Sequence, residues 1–402
     1  MGTSQTNKPS GDAGPAPATG TQGKYPPDAG HTSGARPAVH REPLIHLSKR
    51  DDVALPKAVL IRLAAVALSL VVCAGVIFLL TRLNPLDVYK GFIDGAIGTS
   101  RRTWVTVRDA LVLLCVAIGL TPAFKMRFWN IGAEGQVLVG GLASAALMIY
   151  AGGRLPGPAL LAAMFAASLL AGCIWGLIPA FFKAFWNTNE TLFTLMLNYV
   201  AMQIVTFCIV FWENPAGSNT VGIINSAKNV PSYQAGYLPS LFGNAYGWNV
   251  VIVAALTVGM YIYLKYTKQG YEVAVVGESE NTARYAGIHV RKVIMRTMAI
   301  SGAICGLGGF IIVSGASHTI STSTAGGRGF TAIIVAWLAK FNAFTMVVIS
   351  FFLVFMQKGA MQIATQFKLN ENASDVITGI ILFFILGSEF FINYKVRLRR
   401  KT

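Results

Sequence analysis

Charge is what this chain has little of: Asp, Glu, Lys and Arg make up 12% of its 402 residues, against 54% hydrophobic. The apolar residues gather in runs too long for the elements of a soluble core, so a lipid bilayer is the natural solvent. Cysteine is also scarce. Cys73, Cys115, Cys173, Cys208 and Cys305 all fall inside apolar runs, with no CxxC pair and no histidine at metal-ligand spacing. They read as small core hydrophobes rather than disulfides or metal ligands. Of the five histidines, His289 and His318 are the two beyond the N-terminal tail, both at predicted loop positions, and no HExxH or GxSxG occurs. Those absences exclude the usual hydrolytic constellations of an intramembrane enzyme. No GxxxxGK[ST] phosphate-cradling loop occurs either, so this chain does not itself hydrolyse a nucleotide.

What the sequence does have is apolar runs of about twenty residues, which suit spanning helices far better than the alternating strands of a barrel. The fold class is therefore an all-α polytopic membrane protein. Spans are predicted at roughly 58–81, 104–124, 131–151, 158–183, 190–212, 248–266, 293–314, 330–340, 344–365 and 374–392, about ten helices with one very short. An even number puts both termini on one side. Lys49, Arg50, Lys57 and Arg62 near one end, and Lys395, Arg397, Arg399, Arg400 and Lys401 at the other, make that side the cytoplasm. The interior agrees: the 265–296 connection carries Lys265, Lys268, Arg284, Arg291, Lys292 and Arg296, whereas the 213–247 connection carries Lys228 alone. Arg82, Lys90, Arg101 and Arg102, between the first two spans, run against the rule and suggest an interfacial helix. The net charge of +16 is thus an orientation signal and calls for no nucleic acid.

Residues 1–55 are rich in Gly, Pro, Ala, Thr and Ser and are expected to form a disordered cytoplasmic tail. The first apolar run, Ala58 to Thr81, is long enough to be an anchor rather than a cleaved leader. A transmembrane domain over 56–393 follows, then a basic cytoplasmic tail over 394–402. Within the domain, 213–247 reads as an ordered outer loop where an external partner docks, and 268–292 as a cytoplasmic loop.

Two polar interruptions carry the chemistry. In the first, Phe128-Trp129-Asn130-Ile131-Gly132-Ala133-Glu134-Gly135-Gln136, glycines loosen a helix start beside a carboxylate and two amides. Such groups at membrane depth face protein or a water-filled cavity, which makes function the default reading. Glu134 capping its own helix N-terminus is the plainer alternative, and one residue can do both. In the second, Ser321 to Phe330 holds Gly326, Gly327 and Gly329 and precedes a run too short to cross alone. Two broken segments, one in each half and entering from opposite faces, fit an inverted repeat around a central site; the plainer alternative is a re-entrant element that only packs the bundle. Trp129 and Trp337 offer aromatic faces to a flat solute, although tryptophan is also common at bilayer interfaces.

In the 268–292 loop, Ser279 suits an N-cap with acids in the first turn, and Gly287 a stop. A short polar helix results, with Tyr285 and Ile288 as apolar anchors for a groove on a partner.

Asn130 to Gln136 resembles the NIGAEGQ signature of bacterial ABC permeases for nucleosides and simple sugars. Asn189-Glu190 with Leu195-Met196-Leu197-Asn198-Tyr199 is similar to that family's NE...MLNY stretch, Val276 to Ile288 to its VGENPxAARYAGI loop, and Ser301-Gly302-Ala303 to Gly309 to its SGxxxGLxG helix. Departures are the long N-terminal tail, Ser279-Glu280-Asn281-Thr282 in the loop, and Trp186-Asn187-Thr188 before Asn189. The resemblance implies the translocating subunit of an importer in a bacterial cell membrane, without enzymatic activity or cofactor of its own. It also implies a second, homologous permease, a cytoplasmic ABC ATPase that binds ATP and Mg, and an extracytoplasmic solute-binding (lipo)protein. Asn130, Glu134, Gln136, Glu190, Asn198 and, as a physical addition, Trp337 then lie along the pathway. Gly277, Glu278, Ser279, Glu280, Asn281, Ala283, Arg284, Tyr285, Ala286 and Gly287 then belong to the helix that couples to the ATPase. The competing reading is an ion-coupled secondary transporter, which also uses broken helices and scarce intramembrane acids.

Overall fold

The computed structural model describes residues 45–49, 55–81, 85–228, 230–241, 243–368 and 371–398. The chain divides into two units, Ser48–Lys395 and a small one whose described residues are 45–47 and 396–398. Strand β1 (Ile45–Lys49) pairs with β2 (Tyr394–Leu398). Both segments alternate aliphatic or aromatic residues with polar ones, the period of two that a strand requires. Residues 45–49 of the first expected tail thus form a strand and Leu55 begins the first helix, and 394–398 of the basic C-terminal tail form the second strand; the remaining residues of both tails lie outside the described residues.

The large unit is built mainly from helices: α1 (Leu55–Thr81), α2 (Pro85–Ile97), α3 (Ser100–Lys125), α4 (Ala133–Tyr150), α5 (Gly157–Trp186), α6 (Glu190–Trp212) and α7 (Gly247–Tyr266). Then come α8 (Lys268–Glu278), α9 (Glu280–Tyr285), α10 (Val290–Ile312) running into a π turn (Val313–Ser317), α11 (Arg328–Leu338), α12 (Ala343–Gln366) and α13 (Glu371–Asn393). Among the described residues eight helices are long and apolar enough to cross a membrane, and Arg328–Leu338 and Val376–Ile392 are shorter apolar helices. These ten match the ten predicted runs. The amphipathic α2 fills the region where the basic residues broke the orientation pattern, burying Val88, Phe92 and Ala96.

Helices α3 and α10 form the centre. Their most apolar windows are 83% and 78% buried, against 17% for α1, whose apolar surface is left for lipid. Lipid tails are as apolar as leucine, so close backbone approach has to replace the hydrophobic drive between helices. Glycine supplies that approach along α10. A Cβ on Gly302 would lie 2.3 Å from the Gly172 carbonyl oxygen, one on Gly306 2.4 Å from that of Ser168, and one on Gly140 2.3 Å from that of Gly306. Helices α4, α5 and α10 therefore touch backbone to backbone.

At one end of α10 the π turn frees backbone groups, and the 213–247 connection and the start of α7 bond to this turn. Leu238 N–H donates to the Ser314 carbonyl (3.1 Å), Ser314 Oγ to that of Gly236, and Asn249 Nδ2 to that of Gly315 (3.1 Å). The His318 ring stacks on Tyr237 with centroids 3.7 Å apart, while Tyr237 Oη donates to the Ile224 carbonyl. The connection is thus pinned to the element that leads into the second polar interruption.

Two outcomes follow from this packing. Gly172→Ala is expected to cost about 1–3 kcal/mol by forced overpacking, read as thermal unfolding in detergent, while Gly75→Ala, with nothing within 4 Å of the added methyl, leaves stability unchanged or slightly raised. Equal unfolding temperatures for the two variants would refute the glycine contact. Burial holds the His318 imidazole below its ordinary 6.5, so the docked loop favours the neutral ring. The ring's contribution to docking is fully present above the unfolded value and declines as pH falls from there through the folded one. Protease nicking of 213–247 should rise over that window in the wild type and stay flat in His318→Phe.

Candidate functional site: the junction of two helix N-termini

The first polar interruption becomes a tight loop between α3 and α4. Pro122 and the left-handed Arg127 (φ 60°) turn the chain, and amides then hold it in place. Asn130 Oδ1 accepts the Gly132 N–H (3.0 Å), while its amide lies 3.3 Å from both Gln136 and Ser301 Oγ on α10. From α6, Asn198 Oδ1 accepts the Gly135 N–H (2.8 Å), Asn198 Nδ2 donates to the Ile131 carbonyl (2.9 Å), and Thr194 Oγ1 accepts the Ile131 N–H (3.2 Å). Asn130, Gln136 and Asn198 are 0%, 1% and 3% exposed. Their polar groups are engaged with backbone and with one another.

That loop delivers Glu134 to the start of α11. Its two carboxylate oxygens accept the N–H groups of Gly327 and Gly329, each at 2.7 Å. Gly327 is left-handed (φ 73°), and a Cβ on Gly329 would come within 2.4 Å of the Glu134 nitrogen. Helices α4 and α11 thus meet N-terminus to N-terminus with one carboxylate between them. Each N-terminus carries roughly half a positive charge, so two of them balance about one negative charge. Glu134 therefore caps α11 by hydrogen bonds, while at its own helix it lies in the first turn as a counter-charge to the N-terminus.

Beside this junction lies a second cluster, which sequence reading missed. Asp109 on α3 is buried and faces Lys358 Nζ of α12 at 2.6 Å, Arg108 at 2.8 Å and Arg328 of α11 at 3.7 Å. Arg108 also lies over the Tyr246 ring. A signal was available: Asp109 and Lys358 each interrupt a predicted span, and ionisable groups at that depth are rarely idle.

Trp337, at the far end of α11, stacks on Trp129 (5.4 Å, 18°), with Phe124 edge-on to both. Trp129 and Trp337 are 44% and 45% exposed, unlike the amides behind them. Glu190 stands apart from Glu134, on the first turn of α6, paired with Lys183 at 2.9 Å.

The 268–292 loop forms two helices where sequence reading described one. In α9, Ser279 Oγ caps the Thr282 N–H (3.2 Å) and Gly287 ends the turn at φ 76°. Ala283 is buried, Tyr285 is 93% exposed, and the Arg284–Glu280 pair is too exposed to add much. A Cβ on Gly277 would lie 2.1 Å from the Lys125 carbonyl oxygen, so α8 abuts the end of α3. A cavity of about 210 Å³ there is lined by Arg127, Phe128, Lys183, Glu190, Glu278 and Glu280, among others. The loop carrying Asn130 and Glu134 therefore begins against α8. Among the described residues no group of three His, Cys, Asp or Glu side chains is placed to hold a metal ion.

Comparison with known proteins adds a second line of observation. The family described as branched-chain amino acid transport system / permease component matches residues 105–386. The chain is 30% identical to the glucose ABC transporter permease protein TsgB13 of Haloferax volcanii, over 84% of this chain and 88% of that one. It is 30% identical to the guanosine ABC transporter permease protein NupP of Bacillus subtilis, over 82% and 93%. With the nucleoside ABC transporter permease protein NupB of Lactococcus lactis it shares 26%, over 82% and 91%.

The junction predicts a defined response. Glu134→Ala leaves the Gly327 and Gly329 amides without acceptors, at about 1–3 kcal/mol each, and hydrogen exchange at 327–331 should quicken while distant helices stay protected; unchanged exchange would sink the clasp. Asp109→Asn should cost about 3–5 kcal/mol by stranding Lys358. The double variant Asp109→Asn/Lys358→Gln should recover a large part of that in thermal unfolding.

Proposed function

The chain belongs to the family of branched-chain amino acid transport system permease components, and from that premise we propose that it is the membrane-spanning subunit of an ABC importer for a nucleoside or a simple sugar. The observation that carries the reading is the match over 105–386 together with relatives named as ABC permeases over more than four-fifths of this chain. ATP is hydrolysed by a partner ATPase, since the sequence holds no phosphate-cradling loop. A second, homologous permease completes the pathway, and a solute-binding (lipo)protein delivers cargo to the 213–247 connection. Both termini face the cytoplasm of a cell membrane, as the basic residues of 265–296 and of the C-terminal tail favour.

The geometry supports a route for the power stroke. Helix α9 offers Tyr285 as an anchor for the ATPase, and α8 abuts the end of α3, where the loop to Glu134 starts. Movement of α8 and α9 reaches Glu134 through that loop, and Glu134 holds the start of α11. Asn130, Gln136 and Asn198 act as the frame that keeps this loop in register. The exposed Trp129–Trp337 face is the part of this assembly fit to meet a flat base.

Reconstituted with its partners, the chain should take up guanosine in an ATP-dependent manner and without an ion gradient. Trp337→Ala should lower that uptake on the order of tenfold, the scale of one base–aromatic stack, with Trp337→Phe intermediate. Uptake driven by an ion gradient through this chain alone would establish the secondary-transporter reading instead.

A further inference from the structure

Three helix ends converge on a cavity of about 400 Å³ distinct from the junction: those of α3, α7 and α11, with the start of α12 beside them. Lys125, Lys265 and Lys340 line it, and no Asp or Glu does. Among the described residues none of the three lysines has a carboxylate within ion-pair distance. Lys265 Nζ is hydrogen-bonded to Tyr261 Oη (2.9 Å) and lies over the Tyr261 and Tyr266 rings.

Lysine at a helix C-terminus ordinarily answers the negative end of the macrodipole, and the magnitudes test whether that suffices. Three C-termini contribute about −1.5 charges and the start of α12 about +0.5, against +3 from the lysines. A surplus of about two positive charges remains beside the ends of the two candidate spans α3 and α7, and the ends of spanning helices are where lipid phosphates lie. Besides Thr121, Tyr261 and Asn342, the remaining lining includes the apolar side chains of Ile118, Met260, Leu264 and Phe341. A free phosphate leaves that apolar lining uncovered, whereas a lipid chain covers it.

We propose that this cavity is a binding site for one anionic glycerophospholipid, its phosphate on Lys125, Lys265 and Lys340 and an acyl chain along Met260 and Leu264. The occupant follows from charge complementarity and from the joint cationic and apolar lining, and it is independent of which solute the protein carries.

The test is native mass spectrometry of the full chain, released from nanodiscs of phosphatidylglycerol or of phosphatidylcholine. One tightly retained phosphatidylglycerol per chain is expected, with phosphatidylcholine lost. The variant Lys125→Gln/Lys265→Gln/Lys340→Gln should retain phosphatidylglycerol on the order of 100-fold less well, at about a factor of five or more for each lysine. A matched control, Lys57→Gln/Lys228→Gln/Lys395→Gln, removes the same charge from exposed positions elsewhere and should behave as the wild type. A photoreactive phosphatidylglycerol gives a readout independent of the variants and should label the α7 segment containing Met260 and Leu264. Equal retention of both lipids, equal retention by the two triple variants, or labelling confined to other helices each overturns the proposal. Displacement of the lipid by excess inorganic phosphate alone also overturns it, assigning the lysines to a free anion.

Discussion

A helix that begins inside an apolar bundle brings two unmet demands, backbone N–H groups without acceptors and a positive end without a counter-charge. This protein starts two such helices at one point: a single carboxylate supplies the counter-charge for both and the acceptors for α11, while Asn130 and Asn198 accept the amides at the start of α4. Glu134 sits in the first turn of α4 and accepts the Gly327 and Gly329 amides at the start of α11. An ionised carboxylate alone at that depth is expensive. Flanked by two helix N-termini worth about half a charge each, it becomes the group that lets both helices begin there. Much else in the bundle serves its position: Asn130, Asn198 and Thr194 fix the loop before it, and the missing side chain at Gly329 allows the approach.

Asp109 extends the same logic from backbone to side chain. Glu134 holds residues 327 and 329 by their amides, and Asp109 holds Arg328 between them by its guanidinium while also engaging Lys358 of α12. The start of α11 is thereby tied to α3, α4 and α12 at once. Its other end meets Trp129, on the loop whose beginning lies against α8. Displacing α11 therefore means exchanging a set of ionic and amide contacts together, and such a set favours discrete arrangements over gradual drift.

The sequence made the existence of these elements plain and their pairing obscure. Glycines beside Glu134, and glycines around Arg328, interrupt apolar runs, so both breaks were visible as local events. That the first break's carboxylate binds the second break's amides depends on a separation of 193 residues along the chain, and no local pattern carries it. Asp109 and Lys358 were hidden for the opposite reason: each lies inside a run that otherwise reads as continuous, and although Arg108 adjoins Asp109, the pairing of Asp109 with Lys358 joins two different helices. The amides Asn130, Gln136 and Asn198 were visible as polar residues near lipid. Their inward orientation became apparent only with Ser301 and α6 in place.

The split between buried and exposed groups bears on how such a scaffold comes to carry one solute rather than another. At 30% identity the chain is as similar to a permease named for glucose as to one named for guanosine. The buried amides and Glu134 are engaged with backbone groups and with one another, so their hydrogen bonding is committed to holding the bundle. On the proposed function, discrimination would fall to groups that a solute can reach. Near the junction those are the faces of Trp129 and Trp337 and the partly exposed side chain of Arg328. A frame that is fully satisfied internally can stay constant while a few reachable positions change, which separates the chemistry of holding the bundle together from the chemistry of choosing its cargo.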